Sequence, residues 1–125
     1  MPVDVRIIHT RDFLKTTATG TLDLAASRQM LLKIVSLIDR AGEYQVLIDL
    51  RQAEPRLSAA EIFDLGVAVA VEPAVRQSKI ALLSPMKDEE KAHLMETVSR
   101  NRGAQLKAFT DYEQAITWLI MDKQG

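Results

Sequence analysis

Two hydrophobic rhythms alternate along the chain. Residues 3–9 and 13–19 are rich in β-branched side chains, and Thr10-Arg11-Asp12 between them has the length and composition of a hairpin loop. The two runs are expected to pair antiparallel, with Gly20 ending the second. Leu24, Met30, Leu31, Ile34, Val35 and Ile38 then recur at helical spacing until Ala41-Gly42 supplies a stop. Residues 44–50 and 79–83 are nearly continuous apolar runs, which is how strands covered on both faces of a parallel sheet read. A helix over 59–71 separates them. Residues 88–102 read as a further helix ended by Gly103, and residues 105–109 as a short last strand. Thr110-Asp111-Tyr112-Glu113 has the pattern of a capping box, in which the Thr110 hydroxyl and the Glu113 carboxylate satisfy each other's backbone donors. The final helix then carries Ala115, Ile116, Leu119 and Ile120 on one face.

The order ββαβαβαβα predicts an α/β fold. It implies a single mixed sheet, an N-terminal antiparallel hairpin followed by parallel strands, with about four helices laid against it by crossover connections. The chain has 125 residues and 47% hydrophobic content, which fits one domain over residues 1–125 with a core of its own. Only residues 122–125 read as a loose end.

Composition narrows the chemistry. Sixteen basic against 17 acidic residues give a net charge of -1, so the overall field offers no attraction to nucleic acid or an anionic membrane. The absence of cysteine removes disulfides, thiolate nucleophiles and cysteine metal sites, and suits a cytoplasmic protein. No apolar run reaches the roughly 20 residues that an integral membrane helix needs, and residues 1–6 carry charge where a signal peptide is apolar. His9 and His93 stand on separate elements without metal-ligand spacing. No Gly-rich phosphate loop, Gly-x-Ser-x-Gly or His-Glu-x-x-His is present. Accordingly no catalytic residue, metal or cofactor is assigned.

The informative stretch is Val46-Leu47-Ile48-Asp49-Leu50, followed nine positions after Asp49 by Ser58, which opens Ser58-Ala59-Ala60-Glu61. Ser58 and Glu61 form a second capping box, a contribution of about 0.5–2 kcal/mol. The same helix start offers unpaired N–H groups and a positive dipole end to an anion. Arg51 and Arg56 flank the connector as cationic donors, and Asp49 ends the strand, so Asp49, Arg51, Arg56 and Ser58 are the candidate binding residues. On the following helix, Ile62, Leu65, Val69 and Phe63 are expected to face the sheet, while Val67, Ala70 and Val71 spread apolar character around the other faces. Ile62, Phe63, Val67, Ala70 and Val71 are therefore candidate interface residues, for a dimer or a protein partner, or as the wall of an apolar pocket.

Three segments resemble the STAS domain, and more closely its SpoIIAA-like branch, which is also compared with Sec14-type lipid-binding domains. They are Thr19-Gly20-Thr21-Leu22, the run from Val46 to Ser58, and the ending Phe109-Thr110-Asp111-Tyr112-Glu113-Gln114-Ala115-Ile116-Thr117-Trp118-Leu119. The resemblance implies a non-enzymatic regulatory domain that binds a protein partner through the connector and helix around residues 55–71. Its alternative implication is a carrier or sensor of a small apolar or lipid-like ligand; a hydrolase or transferase using Asp49 and Ser58 is a minor third. In the regulatory members the connector carries Asp-Ser-Ser-Gly or Asp-Thr-Ser-Gly, and an anti-sigma kinase phosphorylates its first hydroxyl. Ser58 takes that place, with Leu57, Ala59 and Ala60 replacing the neighbours. Helix capping is therefore the role expected of Ser58.

Overall fold

The protein is described by a computed structural model over residues 3–121, with Ala41 by its backbone alone. The loose end expected at 122–125 lies outside these residues. The elements are β1 (Asp4–His9), β2 (Leu14–Leu22), α1 (Leu24–Ala41), β3 (Gln45–Pro55), α2 (Ala59–Ala70), α3 (Pro73–Arg76), β4 (Lys79–Leu83), α4 (Glu89–Arg100), β5 (Gln105–Phe109) and α5 (Tyr112–Met121). A 3-10 turn, Met86–Asp88, leads into α4. The five strands form one sheet in the order β1-β2-β3-β4-β5; β1 and β2 are antiparallel and every other neighbouring pair is parallel. This is the predicted mixed α/β sheet.

Because side chains alternate across a strand, each strand of the sheet serves two cores. Leu14 and Ala18 of β2, Val46 and Ile48 of β3, and Ile80 and Leu82 of β4 point into the larger one, where α1, α2, α3 and α4 pack. Leu47, Ala81 and Leu83 point the other way and meet Ala115 and Leu119 of α5. Among the described residues, helix α5 thus covers its face alone. It is fixed at its far end by Lys79, whose ammonium lies 4.3 Å from the centre of the Trp118 ring and donates to the Trp118 carbonyl.

The structure departs from the sequence reading at four places. β2 does not stop at Gly20: the glycine takes φ 85, which L side chains rarely adopt, and the strand continues to Leu22. β3 runs to Pro55 rather than Leu50, absorbing one extra residue opposite Thr17–Thr19 as a bulge. The N-cap of α5 is Asp111, one residue later than Thr110: its carboxylate accepts from the Gln114 N–H at 2.9 Å. Finally α3, a single turn with Pro73 in its first positions, separates α2 from β4. Gly42 does end α1 as expected, in the left-handed conformation with its N–H on the Ile38 carbonyl at 2.9 Å.

Candidate functional site

The connector between β3 and α2 is short and held at both ends. The Arg56 N–H donates to the Leu22 carbonyl at 2.8 Å, which extends the β2–β3 pairing by one bond. Leu57 packs on the larger core. Ser58 is extended (φ -74, ψ 165), its Oγ accepts from the Glu61 N–H at 3.1 Å, and its own N–H donates to Glu61 Oε1 at 2.9 Å. Both halves of the capping box read from the sequence are thus made. Arg56 and Ser58 are exposed. The Arg56 guanidinium meets Glu54 at 3.1 Å, and Lys91 of α4 reaches the Pro55 carbonyl at 3.4 Å.

Asp49 and Arg51 do not join this group. Arg51 belongs to β3, not to a connector, because the strand persists five residues beyond Leu50. Asp49 shares the parity of Leu47, so it points to the α5 face, while α2 packs on the opposite one. There Arg51 holds Asp49 through three bonds: Nε to Oδ1 at 3.0 Å, Nη2 to Oδ2 at 2.9 Å, and its backbone N–H to Oδ1 at 3.0 Å. Burial acts to raise the Asp49 carboxyl. The bonds from the Arg51 side chain and backbone, with the charges of Arg51 and Lys15, outweigh it and hold the pKa below the ordinary carboxylate value. Tyr112 lies beneath both cations, 5.3 Å from the Arg51 guanidinium and 5.5 Å from the Lys15 ammonium. Neither Lys15 nor Tyr112 is among the candidate site residues read from the sequence, and only the strand alternation of residues 14–18 places Lys15 on this face. Asp49 and Ser58, the pair a hydrolase or transferase would need together, are on different faces of the sheet.

The interface candidates also divide. Ile62 and Ala70 are buried in the larger core, because α2 is enclosed by α1, α3 and α4, and they offer nothing to a partner. Val67 is half-buried. Phe63 and Val71 remain outside, at 45% and 65% exposure, with Arg102 5.0 Å above the Phe63 ring. Between α1 and α2 runs a groove whose lining includes Leu32, Val35, Ala68 and Glu72. Among the described residues, no His, Cys, Asp and Glu cluster could hold a metal ion, and no helix is long and apolar enough to cross a membrane.

Solved structures share this fold. A protein with a SpoIIAA-like fold from Shewanella loihica matches with TM-score 0.57 at 22% identity, over 94% of this chain and 93% of that one. An anti-sigma factor antagonist from Mycobacterium paratuberculosis matches with TM-score 0.66 at 9% identity, over 94% of each chain. The anti-sigma factor antagonist SpoIIAA in its unphosphorylated form matches with TM-score 0.56 at 18% identity, over 92% of this chain and 96% of that one. No curated protein matches the sequence. The SpoIIAA-like family pattern itself spans residues 13–120, from the turn before β2 to the last turns of α5. The chain belongs to the SpoIIAA-like family.

Proposed function

We propose that this is a non-enzymatic regulatory module of the cytoplasm that binds a protein partner through residues 56–58 and the outer side of α2. The observation that carries the reading is the exposed connector: Arg56 and Ser58 stand in solvent at the end of β3, next in sequence to a helix that leaves Phe63 and Val71 uncovered. A cation, a hydroxyl and two apolar side chains on one short segment give a partner both charge and apolar area to recognise. Two of the structures with this fold are named as anti-sigma factor antagonists, and a partner of anti-sigma type is the one assigned here. Ser58 serves the surface as the cap that fixes the start of α2. The same surface is the candidate for a dimer.

Titration calorimetry against anti-sigma-type proteins from the same organism tests the assignment. Wild type is expected to bind one of them, with Arg56→Glu and Val71→Lys each weakening it at least tenfold at unchanged thermal stability. Lys15→Glu, on the opposite face, is expected to leave binding intact. Sedimentation velocity on the same variants reads any self-association. Equal weakening by Lys15→Glu, or full binding by both connector and α2 variants, would overturn the assignment.

A further inference from the structure

The larger core is not filled. Between the sheet and helices α1, α2 and α4 lies a cavity of about 80 Å³, walled by apolar side chains including Leu22, Met30, Ile62, Leu65 and Met95. Close-packed interiors seldom leave such space. Its lining is apolar save for a few groups, and two of these are out of place in a finished core. Ser84 is 3% exposed and Asp88 is half-buried; the Ser84 Oγ and the Asp88 Oδ2 are both buried with no hydrogen-bond partner among the described residues. Only four such side-chain atoms occur among those residues, and these two line the same cavity.

Their position follows from the fold. Ser84 continues the parity of Ile80 and Leu82, so its side chain leaves the sheet on the cavity side, while Lys79, Ala81 and Leu83 face α5. Its N–H is taken by the Phe109 carbonyl at 2.9 Å, which fixes it to β5. Asp88 immediately precedes α4, where an aspartate ordinarily caps its helix, yet its side chain makes no cap hydrogen bond. Both groups therefore stand past the carboxyl end of β4, the place where open parallel sheets bind ligands.

We propose that this cavity is a binding site for a small amphipathic molecule with a short aliphatic body and a hydrogen-bond-donating head, an amine or a hydroxyl, received by Asp88 and Ser84. The carboxylate only accepts, so the head must donate; the serine hydroxyl accepts a second bond or donates to a hydroxyl oxygen. Lys91 also lines the cavity, but its ammonium is directed to the Pro55 carbonyl at 3.4 Å, which leaves the unpartnered Asp88 oxygen to disfavour an anionic head. A cavity of about 150 Å³ holds benzene. This one, at about 80 Å³, takes a body of roughly three or four carbons. The site is independent of the surface on the outside of α2, and binding here needs no partner protein.

The test is a titration of the isotope-labelled protein with n-butylamine, n-butanol and butyrate, followed by amide resonances in two-dimensional NMR. Saturable shifts centred on Ser84, Asp88 and the cavity walls are expected for the amine or the alcohol, with butyrate binding at least tenfold more weakly. Asp88→Asn should weaken the amine at least tenfold and the alcohol by less than threefold. Ala92→Leu, which fills the cavity, should abolish both; if that variant does not fold, Ser84→Val removes one polar group and should weaken both probes at least threefold. Shifts that rise linearly without saturation, butyrate binding as tightly as the donors, or indifference to these substitutions would overturn the proposal.

Discussion

The two faces of the sheet are built by the same strands and covered in opposite ways. On one, three long helices and a single turn cover the strands with a broad apolar layer that still leaves an unfilled cavity, open on one side. On the other, α5 alone makes a small core that is dry where it touches β3 and β4, and polar beside it. Leu119, Ala115, Leu47, Ala81 and Leu83 are completely buried there, while Asp49, Arg51, Lys15 and Tyr112 interact at the margin that α5 leaves open. A single helix leaves few gaps to close, whereas three helices must also fit one another, and α2 and α4 do so only because Gly66 lets them meet.

The sharpest test of this contrast is Leu119→Ala. Leu119 is 0% exposed and centres the only helix on its face among the described residues, so truncation is expected to cost about 2–5 kcal/mol by urea denaturation. A loss under about 1 kcal/mol would mean that the α5 face can collapse around the gap.

Arg51→Ala comes next, at about 1–2 kcal/mol, because it strips the bidentate partner from a nearly buried carboxylate while Arg51 itself is partly in solvent. The effect depends on pH. The folded-state pKa of Asp49 is lowered from the ordinary 3.8, so its contribution is present above that value and is lost as pH falls through the folded pKa. Without the Arg51 side chain, burial is left to raise the carboxyl, and only the backbone N–H of residue 51 and the charge of Lys15 oppose it. The stability gap between wild type and Arg51→Ala should therefore narrow as pH falls below about 4. A gap that stays constant through the acid range would show that the pair contributes by packing rather than by charge.

Legibility in the sequence follows the same division. Strands covered on both faces, β4 and the first half of β3, show as apolar runs, and the Ser58 box shows because its two halves lie three residues apart on one segment. The second half of β3 was hidden: Arg51, Gln52 and Glu54 are exposed and read as a connector, though each pairs with β2 or an adjacent side chain. Gly20 read as a stop because positive φ usually ends a strand, whereas here it lies within one. Thr110 and Asp111 are both good caps in adjacent positions, and only the three-dimensional entry of the chain into α5 selects Asp111. The cavity had no signal at all, since it arises from how side chains of separate elements fail to meet.

Gly66→Ala probes the crowded side. A Cβ there would stand 2.7 Å from Val98 Cγ1 and 3.0 Å from Val98 Cβ, and a β-branched neighbour has little rotamer freedom to retreat. Overpacking of about 1–3 kcal/mol opposes a helix-propensity gain of up to about 1 kcal/mol, for a net loss near 1 kcal/mol by denaturant titration. A net gain would show that α4 can move away from α2, which would place the slack of this face at the helix seam as well as in the cavity.

The smallest expected effect is a coupling of zero, and it bears most directly on whether Asp49, Arg51 and Ser58 are one site or two. Four strand residues at about 3.3 Å each put Pro55 some 13 Å beyond Arg51, and Asp49 points to the α5 face while α2, which Ser58 caps, packs on the other. Ser58→Ala removes one half of the capping box and is expected to cost about 0.5–2 kcal/mol, while Ser58→Asp keeps an acceptor at the dipole's positive end and should cost little. Combined with Arg51→Ala, the Ser58→Ala cost should simply add, to within about 0.5 kcal/mol, since the two sites share no partner. The residues would have to be reassigned to one network if the double mutant departed from the sum by more than about 1 kcal/mol. Additivity would instead leave the Asp49–Arg51 pair as an anchor of the α5 face and Ser58 as the cap that holds the α2 surface in place.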